Sequence, residues 1–225
     1  MSRSKPNWPL ITETNPKSPI SEAYRILRTN IDFSNLEEEI RTLMVTSTKM
    51  NEGKSTTSAN IAVTYAQSNK KVLLIDADMR KPTQHQLFRV SNQVGLTSVL
   101  SNQKEWEAAI QTTSVSGLSI LPAGPVPPNP SEMLASKRMD QLLEKMKEHY
   151  DIIIVDTPPI MVVTDAQIVA SKSDGVVLVI DSGTVKKEAA IKAKASLEHV
   201  KARILGVVLN KIKRSSSEGY LYYYQ

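Results

Sequence analysis

The sequence predicts an α/β fold: a doubly wound, mainly parallel sheet with helices on both faces. Three observations carry the prediction. Apolar segments of strand length alternate with segments of helical spacing along most of the 225 residues, the order of βαβ units. Residues 71–76, Lys-Val-Leu-Leu-Ile-Asp, and 150–156, Tyr-Asp-Ile-Ile-Ile-Val-Asp, are near-continuous apolar runs that end in an acid. Runs with so little alternation suit parallel strands buried on both faces. A further run, Thr42-Leu43-Met44-Val45-Thr46-Ser47, leads through a short polar loop into an Ala-, Ser- and Thr-rich segment.

Taken in order, residues 1–18 read as an irregular arm, with Pro6, Pro9, Pro16 and Pro19 breaking any helix. Residues 21–30 read as a helix with Ser21 as its N-cap. Residues 42–47 are a strand, and 55–67 a helix with Ile61, Ala62 and Tyr65 at helical spacing. After the strand at 71–76, the polar stretch 83–116 holds short helices at 94–100 and 104–110. Residues 118–121 form a strand and 122–130 a proline-rich loop. Helices at 131–136 and 137–149 follow, with Leu134, Leu142, Leu143 and Met146 as core. Beyond the strand that ends at Asp156 come a strand at 174–180, a helix at 186–200 and a last strand at 204–209. The domain reading is an arm at 1–18, one α/β unit at 19–212 and a flexible polar tail at 213–225.

The chemistry concentrates in Thr48-Lys49-Met50-Asn51-Glu52-Gly53-Lys54-Ser55-Thr56. A Gly-Lys-Ser between a strand and a helix is the context in which a phosphate-binding loop is meaningful. Backbone N–H groups of Met50, Asn51, Glu52, Gly53, Lys54, Ser55 and Thr56, with the positive end of the helix, would hold phosphate oxygens. Lys54 would bridge the β- and γ-phosphates, and the Ser55 hydroxyl would ligate Mg²⁺. The loop departs from the usual spacing: Thr48 stands where glycine is expected, and Asn51 where related loops often carry glycine. Asn is the next most tolerant residue for a left-handed backbone. Ligands of open α/β sheets sit at the carboxyl ends of the strands. Asp76, Asp78 and Asp156 would therefore converge on Lys54. One acid there can help hold the metal, and another can accept a proton from an attacking hydroxyl. The plainer alternative makes Asp76 and Asp156 strand-terminal turn formers.

These segments closely resemble the bacterial tyrosine kinases, P-loop autokinases of capsule and exopolysaccharide synthesis within the MinD/ParA-like branch of P-loop NTPases. The match is to the separate cytoplasmic kinase subunit of Gram-positive bacteria. Four elements carry it: the P-loop, the strand with Asp76-Ala77-Asp78-Met79-Arg80, the strand that ends at Asp156, and a tail with Tyr220, Tyr222, Tyr223 and Tyr224. The resemblance implies ATP and Mg²⁺ as cofactors. It also implies Lys54, Asp76 and Asp78 as catalytic residues, Ser55, Asp78 and Asp156 around the metal, and Arg80 near the nucleotide. The family pattern favours Asp76 as proton acceptor, although the residues alone do not separate it from Asp78. Asn210 follows the last strand; in this branch an asparagine there contacts the adenine, and a turn-forming Asn-Lys is the equal alternative. Glu22, Arg25 and Arg28 share a helical face and are similar to the family's Glu-x-x-Arg-x-x-Arg interface motif. By resemblance, this contact closes a ring-shaped homo-oligomer, an octamer being one candidate size, in which each tail reaches a neighbour's site.

Four of the seven tyrosines fall in the last six residues, where they read as phosphate acceptors. Each phosphate would add about −1.5 to −2 charges at pH 7. The expected partners are a transmembrane adaptor or activator protein of polysaccharide export, a cognate tyrosine phosphatase and other protein substrates. There are no cysteines, so a disulfide framework and a cysteine nucleophile are excluded. The N-terminus does not read as a signal peptide, and no apolar run is long enough to span a membrane. The expected place is the cytoplasm, with recruitment to the inner face of the membrane through a partner. The net charge is +5, but the basic residues are dispersed and form no specific nucleic-acid recognition motif. Two other readings compete. A MinD/ParA-type ATPase switch would explain Lys49, five positions before Lys54, but neither the missing glycines after it nor the tyrosine tail. A non-catalytic nucleotide-binding regulator would explain Thr48 and Asn51.

Overall fold

In a computed structural model, which describes residues 10–34 and 39–212, the chain opens with α1 (Ile11–Thr14), α2 (Pro19–Phe33) and β1 (Thr42–Ser47). It continues through α3 (Lys54–Ala66), β2 (Val72–Asp76), α4 (Gln84–Leu87), α5 (Leu96–Leu100), α6 (Trp106–Ala109), β3 (Gln111–Thr112) and β4 (Leu118–Leu121). α7 (Pro130–Ala135), α8 (Lys137–His149), β5 (Ile152–Asp156), α9 (Asp165–Ala170), β6 (Gly175–Asp181), α10 (Lys187–His199) and β7 (Ile204–Asn210) complete it.

The strands form one sheet in the order β3-β4-β2-β5-β1-β6-β7. Every pair in it is parallel except β3 with β4, a two-residue edge ladder. Strands β1, β2, β5 and β6 are buried along their whole length, as their unbroken apolar runs require. Alternate residues supply two cores. Met44, Leu73, Ile75, Ile153 and Val155 face one way, against Leu134, Leu143 and Met146 of α7 and α8, with Val169 of α9 and Leu197 of α10. Leu43, Val45, Val72, Leu74, Ile152 and Ile154 face the other, against Ile31 of α2 and Ile61, Ala62 and Tyr65 of α3. Helices thus cover both faces, and the carboxyl ends of β1, β2 and β5 lie together. The ladder sets Asp76 directly opposite Asp156.

Several local expectations change. The arm is helical at α1, and Leu10 and Thr12 within it are buried. The Thr12 N–H and hydroxyl both donate to Asn60 Oδ1, at 3.1 and 2.8 Å, which docks this turn on α3. The N-cap of α2 is Ser18, not Ser21: its hydroxyl accepts the Ser21 N–H at 3.0 Å, and Pro19 sits in the first turn. Proline is tolerated there because that N–H has no intrahelical partner, so Pro19 starts a helix instead of breaking one. Ser21 is buried, and its hydroxyl contacts the Ile11 and Asn15 carbonyls at 3.0 and 2.7 Å. The short elements α4 and β3 are additional to the two helices expected in the polar stretch 83–116. The tail with Tyr220, Tyr222, Tyr223 and Tyr224 lies outside the described residues. Among the described residues, no helix is long and apolar enough to cross a membrane.

Candidate active site

The loop between β1 and α3 closes on itself. Glu52 turns inward and is almost fully buried. Its carboxylate accepts the Thr48 N–H and hydroxyl, each at 2.8 Å, and the Lys49 N–H at 3.2 Å. Thr48 therefore replaces the expected glycine by giving both of its donors to one carboxylate inside the loop. Asn51 adopts φ 64° and Gly53 φ 96°, the left-handed region that asparagine and glycine tolerate. Glycine is required at 53 for a second reason: a Cβ there would stand 2.2 Å from Asn210 Nδ2. That amide donates to the Glu52 carbonyl at 2.9 Å, and Lys211 Nζ donates to the Asn51 carbonyl at 2.6 Å and to Asp181 Oδ2 at 2.9 Å. The end of β7 thus braces the loop from outside. The Asn210 side chain is committed to the loop and to the Lys211 N–H, with Oδ1 accepting at 2.9 Å. Of the predicted nucleotide residues, Met50 is half exposed, while Ser55 and Thr56 lie in the first turn of α3.

Two of the acids reach Lys54, and Asp76 lies opposite Asp156 in the ladder. Lys54 Nζ lies 2.8 Å from Asp78 Oδ2, 3.7 Å from Asp156 Oδ1 and 3.0 Å from Ser55 Oγ. Asp76 and Asp156 are fully buried and Asp78 nearly so. Asp76 is anchored by backbone: Oδ1 accepts the Asp78 N–H at 3.2 Å, and Oδ2 accepts those of Thr83 and Gln84 at 3.0 Å each. Asp78 Oδ1 accepts the Lys81 N–H at 3.0 Å. Gln84 Nε2 donates to Asp156 Oδ2 at 2.8 Å and to the Ser55 carbonyl at 3.0 Å.

Burial and the neighbouring Asp156 push the Asp76 carboxyl up to about 8. Asp156 is also raised, by burial first, with Lys54 opposing. Burial alone would lower the Lys54 ammonium; Asp156, Asp78 and Asp76 outweigh it and hold Lys54 above its ordinary value. Three carboxylates around one ammonium leave room for more positive charge. No group of three or more His, Cys, Asp or Glu side chains among the described residues forms a metal cage. Mg²⁺ commonly uses one or two carboxylates with substrate phosphates instead of an all-protein cage. The hard oxygen donors of Ser55, Asp78 and Asp156 fit it in that mode.

Arg80 and the Glu22, Arg25 and Arg28 face have partners within the chain. Arg80 is paired with the fully buried Asp165 at the start of α9, at 2.9 Å from Nε and 3.1 Å from Nη2, and its Nη2 donates to Ser131 Oγ at 3.2 Å. It braces the α7 and α9 segments beside the site. Glu22, Arg25 and Arg28 engage their own chain: Arg25 bonds Glu22 at 2.7 Å and the Pro16 carbonyl at 2.6 Å, and Arg28 donates to the Thr64 carbonyl at 2.8 Å. Sequence reasoning missed Gln84, Asp165 and Lys211. Gln84 lies in a polar stretch without pattern, and the partners of Asp165 and Lys211 are distant in the chain.

The family model described as "AAA domain" matches residues 40–206. The chain is 50% identical over 214 residues to "Tyrosine-protein kinase YwqD" of Bacillus subtilis (strain 168), across 95% of this chain and 90% of that one. It is 48% identical over 216 residues to "Putative tyrosine-protein kinase CapB" of Staphylococcus aureus, across 96% and 95%. Among solved structures, the kinase domain of Escherichia coli tyrosine kinase ETK superposes with TM-score 0.90 at 39% identity, over all of this chain and 88% of that one. The cell division ATPase MinD of Pyrococcus furiosus superposes with TM-score 0.68 at 26% identity, over 79% and 75%.

Proposed function

The chain belongs to the bacterial tyrosine-protein kinases and carries the AAA domain, and from that premise we propose an ATP- and Mg²⁺-dependent autokinase that phosphorylates its own C-terminal tyrosines between subunits. One observation carries the reading: Lys54 sits between Asp78 and Asp156 beside the Ser55 hydroxyl, at the mouth of the loop. The backbone N–H groups of residues 50–56 and Lys54 would bind the phosphates. Of the three oxygen donors that fit Mg²⁺, Ser55 and Asp156 would hold it, with Asp78 reserved for the proton, and the ion would supply charge neutralisation to the transferring phosphoryl group.

Lys54 drawn to the phosphates would leave Asp78 Oδ2 without its partner. The Asp78 carboxylate is then the group to take the proton as a tyrosine oxygen bonds to the γ-phosphorus and the bond to ADP breaks. This reading departs from the family pattern that favours Asp76. Asp76 already accepts three backbone N–H groups on its two oxygens, and burial with the neighbouring Asp156 holds its carboxyl above the ordinary range, so it serves the fold of this segment. Asp76 would order the segment that carries Asp78. The acceptors would be Tyr220, Tyr222, Tyr223 and Tyr224.

Family resemblance supports the wider setting. Glu22, Arg25 and Arg28 would meet a neighbouring subunit in a ring, a membrane adaptor would recruit the kinase from the cytoplasm to the membrane and activate it, and a phosphatase would reset the tail. The process regulated would be capsule or exopolysaccharide synthesis. The test is incubation with ATP and Mg²⁺, with and without the adaptor's cytoplasmic segment, followed by phosphotyrosine mapping by mass spectrometry. Phosphate on the tail tyrosines that is lost on Lys54→Ala is the expected result. Release of ADP without phosphotyrosine would overturn it in favour of an ATPase switch.

A further inference from the structure

Gln84 belongs to none of the motifs above, yet it touches more of the site than any of them predicts. It opens α4 and is fully buried. Its backbone N–H donates to Asp76 Oδ2. Its side-chain Nε2 donates both to the Ser55 carbonyl, at 3.0 Å, and to Asp156 Oδ2, at 2.8 Å. One residue therefore joins the end of β2, the end of β5 and the first turn of α3. Both partners of Nε2 are acceptors, and neither could donate to Oε1, so the amide can sit only this way round.

Two details point beyond a structural clip. First, Gln84 holds Ser55 and Asp156 by the atoms that a cation would not use. It takes the Ser55 carbonyl and one oxygen of Asp156. The remaining atoms, Ser55 Oγ and Asp156 Oδ1, lie 3.0 and 3.7 Å from the same positive charge, Lys54 Nζ, and Asp156 Oδ1 accepts one longer bond besides, from the Ser58 hydroxyl at 3.3 Å. Second, Gln84 Oε1 is buried and has no hydrogen-bond partner. A buried acceptor left unpaired carries a desolvation cost, as expected where the last donor arrives with a ligand.

We propose that Gln84 is a positioning residue for the divalent cation of the bound nucleotide: it fixes Asp156 against Ser55 so that Asp156 Oδ1 and Ser55 Oγ converge. The proposal rests on the reading that Ser55 and Asp156 hold Mg²⁺. Outer partners that orient metal ligands typically contribute about 10–100-fold to metal affinity. Asn would be one methylene too short to span both acceptors, and Met would match the length without the donor.

The experiment uses the full chain and a fluorescent ADP analogue, titrated once with Mg²⁺ and once with EDTA. For Gln84→Met, affinity in EDTA should stay within about twofold of the wild type, while the gain on adding Mg²⁺ falls by about 10–100-fold. Gln84→Asn should show the same selective loss, and it is read instead if thermal melting shows that Gln84→Met does not fold. An equal loss in Mg²⁺ and EDTA would make Gln84 a structural clip and overturn the proposal, as would an unchanged Mg²⁺ gain. A wild type that shows no Mg²⁺ gain would instead sink the underlying assignment of Ser55 and Asp156.

Discussion

Replacing Lys54 by Met should unfold the protein at a lower temperature, and by an amount that depends on pH. The substitution keeps the length of the side chain and removes its charge. It leaves Asp78 and Asp156, with Asp76 beside them, all nearly or fully buried, without the Lys54 ammonium that pairs with the first two. Removing one partner of a buried pair costs about 3–5 kcal/mol. In a domain of this size each kcal/mol moves Tm by about 2–4 °C, so Tm should fall by about 6–20 °C. The sign with pH follows from the acids. Asp76 and Asp156 already have carboxyls above the ordinary range, Asp76 at about 8, and the loss of Lys54 raises them further. A carboxyl whose folded value exceeds its unfolded value of about 3.9 does not oppose folding while both states are protonated. Its penalty develops as pH rises from there through the folded value, because the folded state binds more protons. Lys54 itself, raised in the folded state, stays charged across that window. Because the wild-type carboxyl carries that penalty already, the loss of Lys54 adds to it only where the wild-type carboxyl ionises and the variant's does not, so the deficit of Lys54→Met should be smaller near about pH 5 than near about pH 8 and should keep growing above it. Melting of nucleotide-free protein in EDTA at both values is the assay. Equal deficits at the two pH values, or a variant as stable as the wild type near pH 8, would refute the account of these acids.

Two further outcomes concern the loop. Gly53→Ala meets both a left-handed backbone and the Asn210 amide, so it should lose about 1–2 kcal/mol from the backbone alone. Adding Asn210→Gly should restore only the steric part, read as Tm and as ADP-analogue affinity. Glu52→Ala strands the donors of Thr48 and Lys49 inside the loop, at about 1–3 kcal/mol for each that stays buried. Unchanged melting of that variant would show that the carboxylate is not what closes the loop.

The sheet was legible because its central strands are buried on both faces and so carry unbroken apolar runs, and β4 and α8 were predicted to the residue. The acids were legible because β2 and β5 each end in one, and parallel strands end on the same edge. What escaped were elements with too few residues to show a period. α1 exists because Leu10 and Thr12 pack on α3, and α4 because Asp76 gathers the N–H groups of Thr83 and Gln84. The α2 start was misplaced because two serines stand three apart, and only the following proline distinguishes them. Thr48 and Asn51 read as weaknesses for a similar reason. Their compensation comes from Glu52 turning inward and from Lys211, 160 residues away along the chain.

The charge around Lys54 argues for the order of events in the site. Asp78 and Asp156 face one ammonium, with Asp76 beside Asp156, so acids outnumber the cation in the pocket. A nucleotide triphosphate alone would enter against that charge, and a carboxylate held by Lys54 is poorly placed to accept a proton. Both difficulties have one remedy. On the proposed reading Lys54 would turn to the phosphates, Asp156 with Ser55 would hold the divalent cation that neutralises their charge, and Asp78 would keep an oxygen for the tyrosine proton. On this account Asp78→Asn should keep the Mg²⁺-dependent gain in ADP-analogue affinity while tail phosphorylation falls by about 100-fold or more, within the usual contribution of a general base. Loss of the Mg²⁺ gain in Asp78→Asn would instead place Asp78 on the metal and overturn its assignment as the proton acceptor.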